Sequence, residues 1–290
     1  MTTSAKAVVE ACALWQEGGG AAYLTLPAFD EMAGPRVGLA ISTRLGGVSS
    51  GPYSALNLGL STGDDSANVD QNWAHLCAGL CLDPQAVVGM SQVHGARVVQ
   101  VRQADLPNPT RGRVTFADTD ALSTCLPGVA LRALAADCVP IALYDPRRQA
   151  VAAVHAGWRG ILAGVLPAAV GALLAGGSAP TDLIVALGPC IGPCHYEVGP
   201  DVALPFARAF TPPASAVATS PDRPPVVRER QGRTYLDLLA ALRWQLGDCG
   251  VPASHVVDSG LCTACHTDLL YSHRAERLTG RFALITWLRA

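Results

Sequence analysis

Charge is scarce in this sequence. Lys and Arg number 21 against 23 Asp and Glu, a formal net charge of -2, and only 15% of residues are charged. The basic residues form no block, so the footprint of a nucleic-acid binder or of an anionic-membrane binder is missing. Ten cysteines among 290 residues fall short of a disulfide scaffold. Residues 1–16 carry one lysine, and Glu10 interrupts their apolar run, so no secretory signal is expected there. These absences point to reduced or metal-bound thiols in a cytoplasmic protein. G-x-G-x-x-G and Walker patterns are also missing, which removes dinucleotide and P-loop readings. Seven histidines, no two of them spaced His-x-His, are too few for a multicopper oxidase centre.

Half of the chain is apolar, a globular composition with ample length for a core. Residues 160–181 carry no charge and reach the length of a bilayer span. Pro167, several glycines and many weakly apolar alanines make a helix buried between sheets the better reading.

Residues 1–35 read as an N-terminal extension, with a possible short helix before the Gly18-Gly19-Gly20 break, and residues 36–290 as one domain. Alternation or short apolar runs predict strands at 36–42, 87–90, 97–101, 121–124, 129–135, 141–144, 150–154, 183–187 and 282–288. Helical spacing predicts helices at 66–82, from 158 onward, and at 235–246. Residues 211–233, rich in Pro, Ser, Ala and Arg, read as a flexible surface loop. The fold class expected is α/β (α+β mixed), a single domain with central mixed β-sheets flanked by helices.

Three segments combine metal-capable side chains with turn or glycine context: Gln92-Val93-His94-Gly95, Ala136-Asp137-Cys138-Val139-Pro140, and His155-Ala156-Gly157-Trp158-Arg159-Gly160. Each sits at a strand end, where α/β proteins present reactive groups. Two imidazoles and a thiolate make a three-ligand zinc set with a fourth position open. Spacing alone leaves the ordinary alternative standing: hydrogen-bonded histidines and a small core cysteine. Asp137 orients a ligand on one reading and caps its turn on the other.

Other thiols carry louder local patterns. Cys262-Thr263-Ala264-Cys265-His266 matches a c-type haem attachment sequence, but that chemistry needs export. The stretch from Pro189 to Glu197 holds the pieces of a zinc-deaminase signature in reversed order, with three residues between Cys190 and Cys194. It reads as a Gly-Pro turn with incidental thiols. Cys77 and Cys81, four apart on a helix, read as core.

In order along the chain these segments resemble a known family. The matching pieces are Ser42-Thr43-Arg44 with Gly46-Gly47-Val48-Ser49, then residues 54–59, Gln92 to Gly95, residues 118–121, 136–140 and 155–160. They continue with residues 188–189 and 196–199, Cys262-Thr263, and 272–274 with 279–281. The family is that of purine nucleoside phosphorylases also described as laccase-domain, polyphenol-oxidase or peptidoglycan-editing-factor proteins. The resemblance implies a metal site on His94, Cys138 and His155, holding Zn2+ or, alternatively, Cu2+. It implies phosphorolysis of adenosine, inosine, guanosine and methylthioadenosine, with adenosine deamination, so that purine nucleosides and phosphate are the partners. Arg44 and Asn57 fall in motifs near that site and Arg159 follows its third ligand; Arg44 and Arg159 suit phosphate because a guanidinium grips it bidentately. Two other readings use Cys138 as a nucleophile or dispense with turnover: a cysteine hydrolase or amidase, and a peptidoglycan-editing partner. The chain departs from the family pattern at its N-terminal extension, at residues 211–233, and in its extra thiols Cys190, Cys194 and Cys265, which leave room for a second metal.

Overall fold

Several strands of this chain have no polar face. Phe282–Leu288, Val139–Asp145 and Ala150–Ala156 are buried at every position. Side chains alternate across a strand, so a strand buried throughout must be covered on both faces. The computed structural model, which describes residues 14–106, 114–211 and 223–290, meets that demand with two stacked sheets and a helical layer on each outer face.

The elements are β1 (Leu14–Gly18), β2 (Ala21–Thr25), α1 (Pro27–Ala33), β3 (Val37–Gly46), α2 (Ser66–Leu80), β4 (Val87–Met90), β5 (Val98–Gln100), β6 (Thr115–Phe116) and β7 (Ala121–Thr124). They continue as β8 (Ala130–Ala135), β9 (Val139–Asp145), β10 (Ala150–Ala156), α3 (Trp158–Leu162), α4 (Val165–Ala175), β11 (Ile184–Leu187) and α5 (Pro200–Ala209). The last are β12 (Val227–Arg230), β13 (Arg233–Leu236), α6 (Leu238–Asp248), β14 (Val256–Asp258), α7 (His273–Glu276) and β15 (Phe282–Leu288).

One sheet has the order β1-β2-β3-β15-β8-β4-β6 and the other β14-β11-β9-β10-β7-β5, with β12 and β13 as a separate hairpin. Both sheets are mixed: β8, β4 and β6 run parallel to one another, as do β14 with β11 and β7 with β5, while the remaining pairs are antiparallel. The residue parity follows the layers. Phe282 and Leu284 of β15 face the core between the sheets together with Ala142, Tyr144, Val151 and Ala153, whereas Ala283, Ile285 and Trp287 face α2. Val139, Ile141, Leu143, Ala152 and Val154 face α4, α5 and α6.

The α/β architecture and most of the expected strands are present. The uncharged stretch 160–181 is not one helix: Gly164 adopts φ +80 and separates α3 from α4. A left-handed residue costs glycine little and ends the helical path there. Among the described residues no helix is long and apolar enough to cross a membrane. The expected boundary at residue 35 does not coincide with an edge of the sheet, because β1 and β2 extend it and α1 packs Phe29 into the inter-sheet core. The start of the expected N-terminal helix lies outside the described residues.

Of the expected loop 211–233, residues 212–222 also lie outside them, but β12 and β13 form a hairpin that takes in residues 227–236. Pairing with Val227 claims Leu236 for a strand, so the predicted helix at 235 begins instead at Leu238, with Asp237 as its N-cap accepting from the Ala240 N–H. Cys77 is buried as expected, but Cys81 is exposed and closes α2 in the left-handed conformation, three residues before Pro84.

Trp73 on α2 is buried beneath the outer face of the first sheet, and its indole N–H donates to the Leu58 carbonyl at 3.0 Å. Trp73→Ala should lower the unfolding free energy by about 3–5 kcal/mol in a denaturant titration. A loss below about 1 kcal/mol would mean that α2 does not cover this sheet.

Candidate metal centre

Strand register decides which side chains meet. β9 and β10 are antiparallel, pairing His155 with Pro140 and Ala156 with Val139. Cys138, one residue before β9, therefore lies beside the C-terminal end of β10. β4 and β8 run parallel, so both exit at the same end of their sheet, toward His94 and Cys138 respectively. The Gln92 side chain extends that pairing, donating to the Leu134 carbonyl and accepting the Leu134 N–H, each at 2.8 Å. An amide that copies a peptide group fixes the His94 turn against β8.

Asp120, fully buried, holds the same turn from the other side. Its carboxylate accepts the backbone N–H groups of Val93 at 3.2 Å, His94 at 3.0 Å and Gly95 at 2.7 Å, and the His155 Nδ1–H at 2.9 Å. These donors bind His94 at φ 61, a left-handed conformation unusual for a residue with a Cβ. With Nδ1 of His155 engaged, its Nε2 is left to face the cluster. Burial opposes the charge on Asp120, but the bonds from His155 and Gly95 outweigh it and hold the carboxyl below its ordinary value.

The ligand-capable atoms of His94, Cys138 and His155 all lie within 4.8 Å of one another. His94 Nε2 is 3.7 Å from Cys138 Sγ, and the two imidazoles meet edge to face with centroids 4.9 Å apart. Tetrahedral coordination at ordinary zinc distances puts a nitrogen and a sulfur about 3.6 Å apart, so the donors fit one small ion. Gly157 makes room for the convergence. A Cβ there would lie 2.6 Å from His94 Cδ2 and 2.9 Å from Cys138 Sγ. Burial alone would raise the Cys138 thiol, yet the charge and hydrogen bond of His155 and the contact with His94 bring it down to about 6. Burial likewise opposes the charge on His155, which the Cys138 thiolate and Asp120 raise to about 9. Without a cation the pair is a thiolate beside an imidazolium; with one, the thiolate is a ready ligand.

The cluster opens on a cavity of about 570 Å³, whose lining includes Gln92, Trp158, Arg159, Tyr196, His273, Arg274 and Arg281. Three guanidinium groups in one cavity suit an anion. Arg159, the sequence candidate, lies over the Trp158 ring at 4.2 Å and makes no ion pair among the described residues. Arg274 and Arg281 were not singled out by sequence, although both fall in the C-terminal motifs that carry the resemblance. Burial holds the Arg281 guanidinium below its ordinary value, which an anion would counter.

Of the other sequence candidates, Arg44 and Asn57 do not line this cavity. Arg44 is occupied by Glu276 at 2.8 Å, by the Thr267 and Ser54 carbonyls, and by the Tyr271 ring at 4.6 Å. Asn57 is fully buried; it donates to Thr62 Oγ1 and Asp64 Oδ2 at 2.9 Å each and accepts the Gly59 and Arg281 N–H groups. Asn57 thus reaches the site only by fixing the backbone of Arg281. Asp137 at φ 96 makes its own bonds away from the sulfur: it accepts from Thr263 Oγ1 at 2.6 Å, Ser272 Oγ at 2.7 Å and the Arg274 N–H at 2.6 Å. It ties the Cys138 turn to the segment that carries Arg274.

The chain is similar to known proteins over most of its length. A family model described as multi-copper polyphenol oxidoreductase laccase matches residues 38–289. A Pseudomonas aeruginosa protein named purine nucleoside phosphorylase is 38% identical over 260 residues, covering 90% of this chain and 97% of that one. The purine nucleoside phosphorylase YlmD of Geobacillus stearothermophilus is 38% identical over 244 residues, covering 83% and 86%. The crystal structure of that YlmD superposes with a TM-score of 0.83 at 35% identity over 96% of this chain and all of the other. Bacillus licheniformis YfiH superposes with a TM-score of 0.82 at 29% identity, over 95% and 99%. The match of the family model across nearly the whole chain makes it a member of the multi-copper polyphenol oxidoreductase laccase family.

Proposed function

We propose that this chain is a zinc-dependent purine nucleoside phosphorylase that also deaminates adenosine. The observation that carries the reading is one cavity lined by both the His94–Cys138–His155 cluster and three arginines. The names of the relatives point the same way. A bound zinc ion supplies Lewis acidity and lowers the pKa of water in an open coordination position. The chain's own residues do the rest. Arg159, with Arg274 and Arg281, holds phosphate beside the anomeric carbon while positive charge develops on the sugar. Trp158 and Tyr196 supply aromatic surface for the purine and ribose. Asp120 keeps His155 in the tautomer that offers Nε2 to the ion.

The donor set argues for zinc over multicopper chemistry. Two histidines and one cysteine make a single-ion site, and the other Cys/His cluster among the described residues adds only one histidine. One Cu2+ suits the same three donors. A second reading draws on the Asp120–His155–Cys138 chain, in which a thiolate with a pKa of about 6 stands beside an imidazolium held by a carboxylate. That is also the arrangement of a cysteine hydrolase or amidase.

Two outcomes separate these readings, and a third tests the site they share. Pure protein given adenosine should yield adenine and ribose-1-phosphate only when phosphate is present, and inosine without it. A strong chelator should abolish both reactions, with zinc restoring them; thiol-only catalysis would survive the chelator. His155→Ala should remove turnover, and unchanged activity in that variant sinks the site. Asp120→Asn, which keeps the shape but loses charge and acceptor capacity, should weaken zinc about 10–100-fold in a chelator competition. Arg159→Ala should raise the phosphate KM about tenfold or more with a smaller change in the nucleoside KM, whereas Arg44→Ala should lower the melting temperature instead.

A further inference from the structure

A second group of metal-capable side chains lies outside the cavity. Cys194, His195, Cys262 and Cys265 bring one ligand atom each to within 4.8 Å of the others, and none of the four lines the cavity of the first cluster. His195 Nδ1 is 3.3 Å from Cys194 Sγ, 3.4 Å from Cys265 Sγ and 3.9 Å from Cys262 Sγ, and the Cys194 and Cys265 sulfurs are 3.6 Å apart. Zinc bound at ordinary distances of about 2.3 Å to sulfur and 2.0–2.1 Å to nitrogen gives tetrahedral edges of about 3.8 Å between sulfurs and 3.6 Å between sulfur and nitrogen. The three measured sulfur–nitrogen edges straddle the value for that pair, and the 3.6 Å sulfur–sulfur edge lies just under its own. A disulfide would need sulfurs about 2.05 Å apart.

We propose that Cys194, Cys262 and Cys265, through their sulfurs, and His195, through Nδ1, form a closed structural zinc site separate from the cluster in the cavity.

The backbone is arranged for it. Cys262 and Cys265 belong to a C-x-x-C turn closed by the Cys265 and His266 N–H groups, which both donate to the Cys262 carbonyl at 3.1 and 3.2 Å. Such a turn offers two sulfurs from one short loop. The facing turn supplies the other pair, and its Gly192 N–H donates to Cys262 Sγ at 3.2 Å, which ties the two turns together at the sulfur. A Cβ on Gly192 would sit 3.3 Å from Cys194 Sγ, so a side chain there would crowd that sulfur. A parallel bridge between Cys190 and Cys262 fixes the two turns side by side. Binding would displace the three thiol protons to solvent and leave three thiolates and a neutral imidazole around one divalent ion, with net charge -1. Arg230, whose guanidinium donates to the Cys194 carbonyl at 3.3 Å, offsets that charge. Three thiolates and one imidazole in a tetrahedron select zinc over the hard cations, and the spacing leaves no room for a multinuclear iron–sulfur cluster.

The site would clamp the cavity wall. His195 precedes Tyr196, and Thr263, between two of the ligands, holds Asp137 next to Cys138. A zinc ion joining these turns would set the wall while taking no part in the chemistry.

Full-length protein purified without chelator from zinc-supplemented culture should carry about two zinc equivalents per chain by elemental analysis. Cys138→Ala should retain about one, and its cobalt-exchanged form should show thiolate-to-cobalt charge transfer and tetrahedral d–d bands. Cys265→Ser should also fall to about one equivalent, the one at the first cluster. Because Cys265→Ser puts folding at risk, the Cys138→Ala protein, whose second cluster is intact, is the deciding sample. Absence of zinc from it, iron or copper in place of zinc, or a Cys194–Cys265 disulfide under reducing conditions overturns the proposal.

Discussion

A carboxylate without solvent must be satisfied by donors from the protein, and Asp120 takes four: three successive backbone N–H groups of the His94 turn and the ring of His155. Leaving such a charge unpaired in the interior is expensive, so the donors and the carboxylate constrain one another. One side chain thereby sets the left-handed backbone of His94, the tautomer of His155 and the distance between the two imidazoles. Cys138 then meets them because β9 and β10 are in register. The cluster is a consequence of strand pairing plus one buried acid, and needs no local ligand spacing of the zinc-finger kind.

The stacked sheets explain why the site is rigid where it must be. Strands buried on both faces cannot slip by one residue without driving a whole side-chain set into the wrong layer. The β9–β10 register is therefore fixed by the apolar packing of both strands, which carries His155 and Cys138 into place with it. The arginines are supplied differently. Arg159 comes from the short helix after β10, and Arg274 and Arg281 from the C-terminal segment before β15, which Asp137 and Asn57 hold by backbone bonds. One strand and two turns at strand ends provide the metal-capable side chains, and α3, α7 and the residue before β15 provide the cationic wall.

This division also marks what could be read from the sequence. The apolar runs of β8, β9, β10 and β15 announce themselves, and the motifs around His94, Cys138 and His155 are visible as strand ends with glycine. Asp120 stands inside a recognisable segment, but nothing local to it says that its carboxylate faces a turn 26 residues earlier. The partners of Arg44 are hidden for a related reason. This arginine lies in a glycine-rich motif that looks ligand-facing, and its partner Glu276 is 232 residues away, so its ion pair is invisible until the chain folds. The hairpin of β12 and β13 is hidden because exposed Arg and Glu side chains dilute the alternation on which strand reading depends.

Cysteine makes the point most sharply, because one residue type serves several purposes here. Cys77 is a small core residue, and Cys81 ends a helix. Burial pushes the Cys190 thiol well above its ordinary range, with Asp237 and the other nearby acids adding to it, so it stays protonated and inert. Cys138 is only half-buried at the cavity wall, and there two imidazoles replace the acids as neighbours and bring its thiol down to about 6. Desolvation opposes the charge on both thiols; the sign of the adjacent charge decides between a packing atom and a reactive thiolate. A cysteine count therefore says little about the chemistry of this chain, and the two histidines that Asp120 positions say most of it.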